Sequence, residues 1–141
     1  ESKVQMNIFA QDGQWLFNAI SPQDALARLT ELVTCYGDGL SSPLSLALQS
    51  GWKYIQARYQ EETGDLADDE KSLDKAHRAF KDRYNSNVRM AGEGEDPYLQ
   101  RCMTSGSFDG LSQQSQQQMI DLALAILLPV RRLLEAIDDG E

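Results

Sequence analysis

The apolar pattern of the chain changes its period at Ser21, and this change constrains the fold more than any other feature. Before Ser21, the alternating residues Val4, Met6 and Ile8 and the apolar run Trp15-Leu16-Phe17 lie on the two sides of Asp12-Gly13, a dipeptide typical of the tight turn in a β-hairpin. After Ser21, apolar residues recur at the three- and four-residue spacing of amphipathic helices. The sequence therefore predicts one α+β domain, predominantly α-helical, with an N-terminal β-hairpin in residues 1–20 and a helical region in residues 21–141.

The helical region is divided by capping and breaking signals. Ser21-Pro22 is a typical helix start, and we expect this first helix to end at Gly37 and Gly39. Pro129 is expected to kink or split the last helix, because proline removes a backbone donor. No third strand and no internal repeat are predicted, and residues 61–70 are expected to form an exposed loop. Further helices are predicted from residue 47 or 51 to residue 60, and over residues 71–84, 97–103 and 112–137.

The charge of the chain is acidic and uneven. A net charge of -9 over 141 residues disfavours strong, unaided binding to DNA phosphates. Residues 1–70 hold 4 basic and 11 acidic side chains, and the locally positive stretch runs through residues 71–89. This stretch is predicted to contact DNA or a partner subunit, although composition alone favours a solvated helix face. The candidate contact residues are Lys71, Lys75, Arg78, Lys81, Arg83 and Arg89.

Cysteine spacing and the lack of a signal-peptide pattern indicate the cellular compartment. Cys35 and Cys102 lack the spacing of a metal site or a disulfide framework, so we interpret both as reduced thiols of a cytoplasmic protein. No signal-peptide pattern is present, and the apolar run of residues 119–130 is too short to span a bilayer, so no membrane association is expected. The sequence begins Glu-Ser-Lys without an initiator methionine, which is compatible with processing, with a tag remnant and with a fragment of a longer protein.

Candidate catalytic groups are few. Asp69-Glu70-Lys71, taken with Asp65, superficially matches a restriction-type nuclease site, in which acids hold a divalent metal and a lysine orients water. Acids at a helix start explain the same residues and are the preferred interpretation. The lone His77 is expected on a packed helix face. We therefore predict no catalytic residue, no metal site and no cofactor.

A glycine-rich acidic stretch follows the third predicted helix. Gly92-Glu93-Gly94-Glu95 resembles a phosphate-binding loop only in its glycines, because its acids would repel phosphate. It is predicted to form a turn or an acidic loop that faces a partner.

Several stretches resemble, in their order and spacing, the C-terminal region of the RecC family, the gamma subunit of exodeoxyribonuclease V. They extend from the second strand of the hairpin to the last helix. The most specific are Tyr36-Gly37-Asp38-Gly39-Leu40-Ser41-Ser42-Pro43-Leu44, Ser50-Gly51-Trp52 and Gly92-Glu93-Gly94-Glu95-Asp96-Pro97-Tyr98-Leu99-Gln100-Arg101.

The resemblance implies a non-catalytic domain of the RecBCD helicase-nuclease. It implies part of a degenerate restriction-nuclease-like domain, acting as a scaffold and as an element that engages and splits the DNA duplex in double-strand-break repair and recombination. The implied partners are the RecB and RecD subunits and a double-stranded DNA end, whereas helicase, nuclease and ATP-binding activities belong to the parent complex. Two alternatives stay open, a divergent metal-dependent nuclease and an unrelated acidic protein-interaction module, as does self-association of the isolated chain.

Overall fold

A computed structural model describes residues 6–10, 13–103 and 105–136. The described chain is mostly helical with a small antiparallel hairpin at its start, which confirms the α+β prediction. Two 3₁₀ turns cover Glu93–Glu95 and Phe108–Gly110. The elements in chain order are β1 (Met6–Ala10), β2 (Gly13–Phe17), α1 (Pro22–Ser41), α2 (Leu48–Arg58), β3 (Tyr59–Gln60), β4 (Asp65–Leu66), α3 (Glu70–Tyr84), α4 (Pro97–Cys102), α5 (Gln113–Leu133) and β5 (Leu134–Ala136).

The N-terminal hairpin belongs to a three-stranded sheet of order β1-β2-β5. Ile8 of β1 lies opposite Trp15 of β2, and Phe17 of β2 lies opposite Leu134 of β5. The prediction of no third strand is therefore wrong, because β5 pairs with a strand more than a hundred residues away and no local pattern reports that pairing. Residues 11 and 12 of the predicted turn lie outside the described residues.

The first helix extends further than predicted. α1 continues through Gly37 and Gly39, and it ends where the Ser42 N–H donates to the Asp38 carbonyl. Neither glycine has a positive φ, so neither adopts the left-handed conformation that a glycine cap requires. The predicted stop at these glycines is therefore wrong.

The last helix is not split at Pro129. α5 is one helix from Gln113 to Leu133, so it also ends before the predicted residue 137. Pro129 leaves the carbonyl of Ala125 without its helical donor, but Ala125 is exposed and water can reach this end of the turn.

A short β3–β4 hairpin occupies the segment that the sequence predicted as a loop. Tyr59 pairs with Leu66, and Gly64, with a φ of 67°, supplies the left-handed turn residue. Two ion pairs, Glu61–Arg131 and Asp65–Arg132, connect the hairpin to the end of α5. The Arg131 guanidinium also lies 4.0 Å from the centroid of the Tyr59 ring.

The core lies where α2 packs against α3 and α5. Phe80 of α3 is its centre, with ring centroids 5.0 Å from Phe108 and 6.2 Å from Tyr84. Gly51 permits the close approach of α2 to α5, since a Cβ there would lie 2.4 Å from the Ala123 Cβ. The other residues of this core are Ala47, Tyr54, Ala76, Leu99, Leu111, Met119 and Ile120.

His77 of α3 and the apolar residues of α1 lie outside the core. His77 is exposed at the margin of the core, where its ring meets Tyr54 edge-on at 5.4 Å, so it is not packed inside as predicted. Of the described α-helices, α1 is the one that buries no residue, so its apolar stripe does not contribute to this core. No described helix combines the length and apolarity needed to cross a membrane.

Candidate functional site

Most of the locally positive stretch of residues 71–89 lies in α3, which is capped by Asp69 at its start and Asn85 at its end. The Asp69 carboxylate accepts a hydrogen bond from the Ser72 N–H at 2.9 Å and caps the helix. Glu70 lies in the first turn and Lys81 and Arg83 in the last, the arrangement that the helix dipole favours. Hydrogen bonds from the side chain and backbone of Ser72 lower the pKa of Asp69 from its ordinary value. Asp69 is therefore a helix cap, as the preferred sequence interpretation states.

Three of the predicted contact residues lie together on the surface of α3. Lys71, Lys75 and Arg78 line one shallow depression with Glu70 and Asp74. All three cations are exposed, and within the described part of the chain none makes a hydrogen bond or an ion pair. Their spacing of four and three residues places them on one helix face. This group of three cations is the α3 cationic face.

The other three predicted contact residues are placed elsewhere. Lys81 pairs with Asp109 at 2.7 Å, which connects α3 to the second 3₁₀ turn. Arg83 donates to the Ala91 carbonyl at 3.2 Å and to the side chain of Gln49. Arg89 lies beyond α3 in an exposed turn. The structure therefore does not bring these three cations into the α3 cationic face.

The residues of the nuclease alternative are not assembled into a site. Asp65 pairs with Arg132 at 2.7 Å, and this hydrogen bond, with one from the Leu66 backbone, lowers the pKa of Asp65. Asp69 caps α3, and Lys71 is exposed on the same helix. Among the described residues, no three His, Cys, Asp or Glu side chains are grouped to hold a metal ion. The geometry gives the metal-dependent alternative no support.

The acidic turn of residues 92–96 is an internal structural joint. Its central Glu93 carboxylate accepts from the backbone N–H groups of Gln49 and Ser50 at 2.9 and 2.7 Å, and from the Ser50 hydroxyl at 2.7 Å. Ala47, the N-cap residue of α2, makes no side-chain cap bond, so Glu93 caps this helix from a distant part of the chain. The prediction of a turn is confirmed, but the alternative of a partner-facing loop is wrong for Glu93.

The three stretches most specific to the family resemblance meet at this joint. Glu93 reaches Ser50, and the Tyr98 hydroxyl donates to the Leu44 carbonyl at 3.3 Å. Asp96 caps α4 by accepting from the Tyr98 N–H at 2.8 Å. The sequence does not indicate these contacts, because a contact across more than forty residues leaves no periodic signal.

Replacing Glu93 with alanine is expected to lower the free energy of unfolding by about 2 kcal/mol, because two helix-end donors and the buried Ser50 lose their acceptor. Chemical denaturation measures the loss, and hydrogen exchange at the Gln49 and Ser50 amides should become faster. Glu95→Ala is the matched control, since among the described residues the exposed Glu95 carboxylate bonds only the Ser86 side chain. Equal losses at both positions would contradict the capping role.

An exposed apolar surface on α1 is the second candidate site. We define the α1 stripe as the six large apolar residues of this helix that are 50–72% exposed: Leu26, Leu29, Leu32, Val33, Tyr36 and Leu40. Beside it, an apolar groove of about 610 Å³ separates α1 from the C-terminal half of α5. Contiguous exposed apolar surface of this kind is typical of an interaction site.

Comparison with known proteins identifies the family of this chain. The family model described as the RecC C-terminal domain matches residues 10–59. The RecBCD enzyme subunit RecC of Escherichia coli (strain K12) is 30% identical over 115 residues, which are 79% of this chain and 10% of that protein. The chain thus spans about a tenth of the length of the curated relative it matches. It is a relative of the RecC C-terminal domain, as its sequence motifs indicate.

Proposed function

We propose that the chain is a non-catalytic C-terminal domain of a RecC subunit, working within a RecBCD complex in double-strand-break repair and recombination. Its role is that of a scaffold and of an element that engages and splits the DNA duplex. The observation that carries the proposal is the match to RecC over 79% of the chain. The motifs most specific to the resemblance build joints between helices, such as the contact of Glu93 with Ser50, which is consistent with a structural role.

The proposed setting follows from the same relationship. RecB and RecD subunits and a double-stranded DNA end are the partners, and the complex works in the cytoplasm. Helicase, nuclease and ATP-dependent steps belong to the complex rather than to this chain. The domain is also proposed to belong to a degenerate restriction-nuclease-like fold. Asp65 and Asp69 are engaged by Arg132 and Ser72, which supports a chain without its own metal-dependent chemistry.

The α3 cationic face is the proposed contact of this domain with DNA or a sister subunit. Lys71, Lys75 and Arg78 are exposed and unengaged within the described residues, so they can pair with an acidic partner without first breaking an internal bond. Glu70 and Asp74 lie among them. This interleaving limits the attraction for phosphates, and DNA binding at this face therefore depends on the surrounding complex.

Reversing charge on this face is expected to weaken the complex. In a full-length RecC polypeptide carrying this sequence, Lys75→Glu with Arg78→Glu should weaken either DNA-end binding or assembly with RecB by about tenfold or more. If DNA is the partner, the slope of log affinity against log salt should fall by about 2, one unit for each phosphate that the protein no longer neutralises. Quantitative pull-down and fluorescence anisotropy of a labelled DNA end measure the two effects.

Lys53→Glu is the control for this experiment, because Lys53 is an exposed lysine of α2 outside the α3 cationic face. It should leave assembly and DNA binding near the unsubstituted values. The proposal for this face fails if the double reversal leaves both measurements unchanged.

The rival functions are separated by other measurements. Metal-dependent cleavage of linear DNA by the chain, abolished by Asp69→Ala, would favour a nuclease and overturn the non-catalytic proposal. Failure of the full-length protein to assemble with RecB would favour an unrelated acidic interaction module. In the parent gene, a long helicase-like region upstream supports the RecC proposal, and a start codon directly before Glu1 contradicts it.

A further inference from the structure

The apolar face of α1 points away from the domain that carries it. The residues of α1 that line the groove toward α5 are mostly polar, and Leu32 is the one member of the stripe among them: Arg28, Thr30, Glu31, Leu32, Thr34 and Cys35. Leu29 and Val33, by contrast, lie outside that groove and are 57% and 60% exposed. An amphipathic helix normally buries its apolar side against its own domain. In α1 the stripe apart from Leu32 lies outside the groove and is exposed, so most of this apolar side is available to another surface.

The spacing of the α1 stripe suits a helix that docks into an apolar groove. Leu26, Leu29, Val33, Tyr36 and Leu40 follow one another at intervals of three and four residues over nearly four turns of helix. Apolar residues scattered singly on a surface need no explanation, but a continuous stripe of large side chains does. The stripe therefore requires one extended apolar partner rather than several small contacts.

We propose that the α1 stripe packs against the remainder of a RecC polypeptide, the part of that chain outside the segment matched here. This inference rests on the proposed function. The matched segment is 10% of the RecC relative, so about nine tenths of such a polypeptide is available to supply the complementary surface. Intrachain packing also places that surface beside α1 at high effective concentration.

Charge argues against a second copy of this chain as the occupant. α1 carries Asp24, Glu31 and Asp38 against Arg28 alone. The half of the chain that includes α1 holds 11 acidic and 4 basic side chains, and the whole has a net charge of -9. Two copies packed through the stripe would bring together two chains that each carry a net charge of -9, and this overall repulsion opposes association.

The sheet supplies a second, independent sign of a larger body. β1 is an edge strand, and within the described residues no strand pairs with its outer side. Its Met6 and Phe9 are 53% and 71% exposed. An apolar edge strand is a template for further pairing, and folded proteins ordinarily cover such edges. The polypeptide that covers α1 can also cover this edge.

Cysteine labelling tests the inference directly. In a background with Cys35→Ser and Cys102→Ser, Val33→Cys and the exposed polar-side control Asp38→Cys should react with maleimide at similar rates in the 141-residue chain. In a full-length RecC polypeptide carrying this sequence, Val33→Cys should react at least about tenfold more slowly than Asp38→Cys. Equal rates at the two positions in the full-length chain would overturn the inference.

A second pair of variants guards against a folding defect. Val33→Glu is placed in the stripe, and Ala27→Glu introduces the same charge at an exposed position on the opposite side of α1. Both should leave the Tm of the 141-residue chain within about 2 °C, because neither site is buried there. Only Val33→Glu should lower the Tm of the full-length chain. Equal effects of the two variants in the full-length chain would contradict the proposed packing.

The outcomes separate this inference from the proposed function. A reactive Val33→Cys in a full-length RecC that still assembles with RecB would refute the α1 packing and leave the function intact. A protected Val33→Cys in a chain that neither assembles with RecB nor binds DNA ends would refute the function alone. Protection of Val33→Cys in the 141-residue chain, with a dimer in sedimentation, would identify a second copy as the occupant and overturn the inference.

Discussion

Replacing Phe80 with alanine is expected to lower the free energy of unfolding by about 4 kcal/mol. The Phe80 side chain is fully buried, and its ring contacts those of Tyr54, Tyr84 and Phe108, with centroid separations of 5.0 to 6.5 Å. The substitution removes the transfer free energy of the ring and leaves a cavity between helices that are held apart by the other aromatic residues. Urea denaturation followed by circular dichroism measures the loss.

Phe9→Ala is the matched control for this experiment, because the same ring in β1 is 71% exposed. Its removal should cost less than about 1 kcal/mol in the 141-residue chain. Losses of similar size at the two positions would show that Phe80 is not at the centre of the core, and the arrangement of α2, α3 and α5 would then be wrong.

Gly92→Ala is expected to cost about 3 kcal/mol, because the added methyl group overlaps atoms that cannot move aside. A Cβ at this position would lie 2.2 Å from the Tyr84 carbonyl oxygen and 2.3 Å from the Asn85 carbonyl carbon. These are backbone atoms at the end of α3, so no side-chain rotation can relieve the overlap. Moving the turn away would also pull Glu93 from the start of α2. Thermal and urea unfolding should both report the destabilisation.

Gly37→Ala provides a control of opposite sign. A Cβ there would meet no atom within 4 Å, and Gly37 lies within α1 without a positive φ. Alanine in a helix interior is more favourable than glycine by about 1 kcal/mol, so this variant should be more stable than the original chain. A destabilised Gly37→Ala would restore the interpretation of Gly37 as a helix stop, and a neutral Gly92→Ala would refute the close approach.

Part of the candidate site could be predicted from the sequence. Asp69 followed by Glu70 and a helical pattern indicates a capped helix, and the cations of that helix were all identified as candidates. Which of them are available could not be predicted, because the engagement of Lys81 and Arg83 depends on Asp109 and Gln49, which lie in distant segments. The sequence therefore shows which cations α3 contains, whereas the folded chain decides which of them are paired and which are available.

The acidic turn is a second case in which the sequence predicts the local structure but not the long-range contact. The sequence correctly indicates a turn at residues 92–95, and its glycines signal an unusual backbone requirement. It does not indicate that Glu93 caps α2, since this contact joins residues more than forty positions apart. An acid in a polar loop is most simply interpreted as solvent-exposed or partner-facing, and only the folded arrangement shows that the half-buried Glu93 caps α2.

The sequence by itself determined the hairpin, the helix starts and the family. Ser21, Asp69, Asp96 and Ser112 all cap the helices that follow them, because each accepts from an N–H two or three residues away and needs no distant partner. The tertiary structure alone decided the β2–β5 pairing, the capping of α2 by Glu93 and the outward face of α1. Each of these depends on which surfaces meet after the chain folds back on itself, and a pattern of neighbouring residues carries no record of that choice.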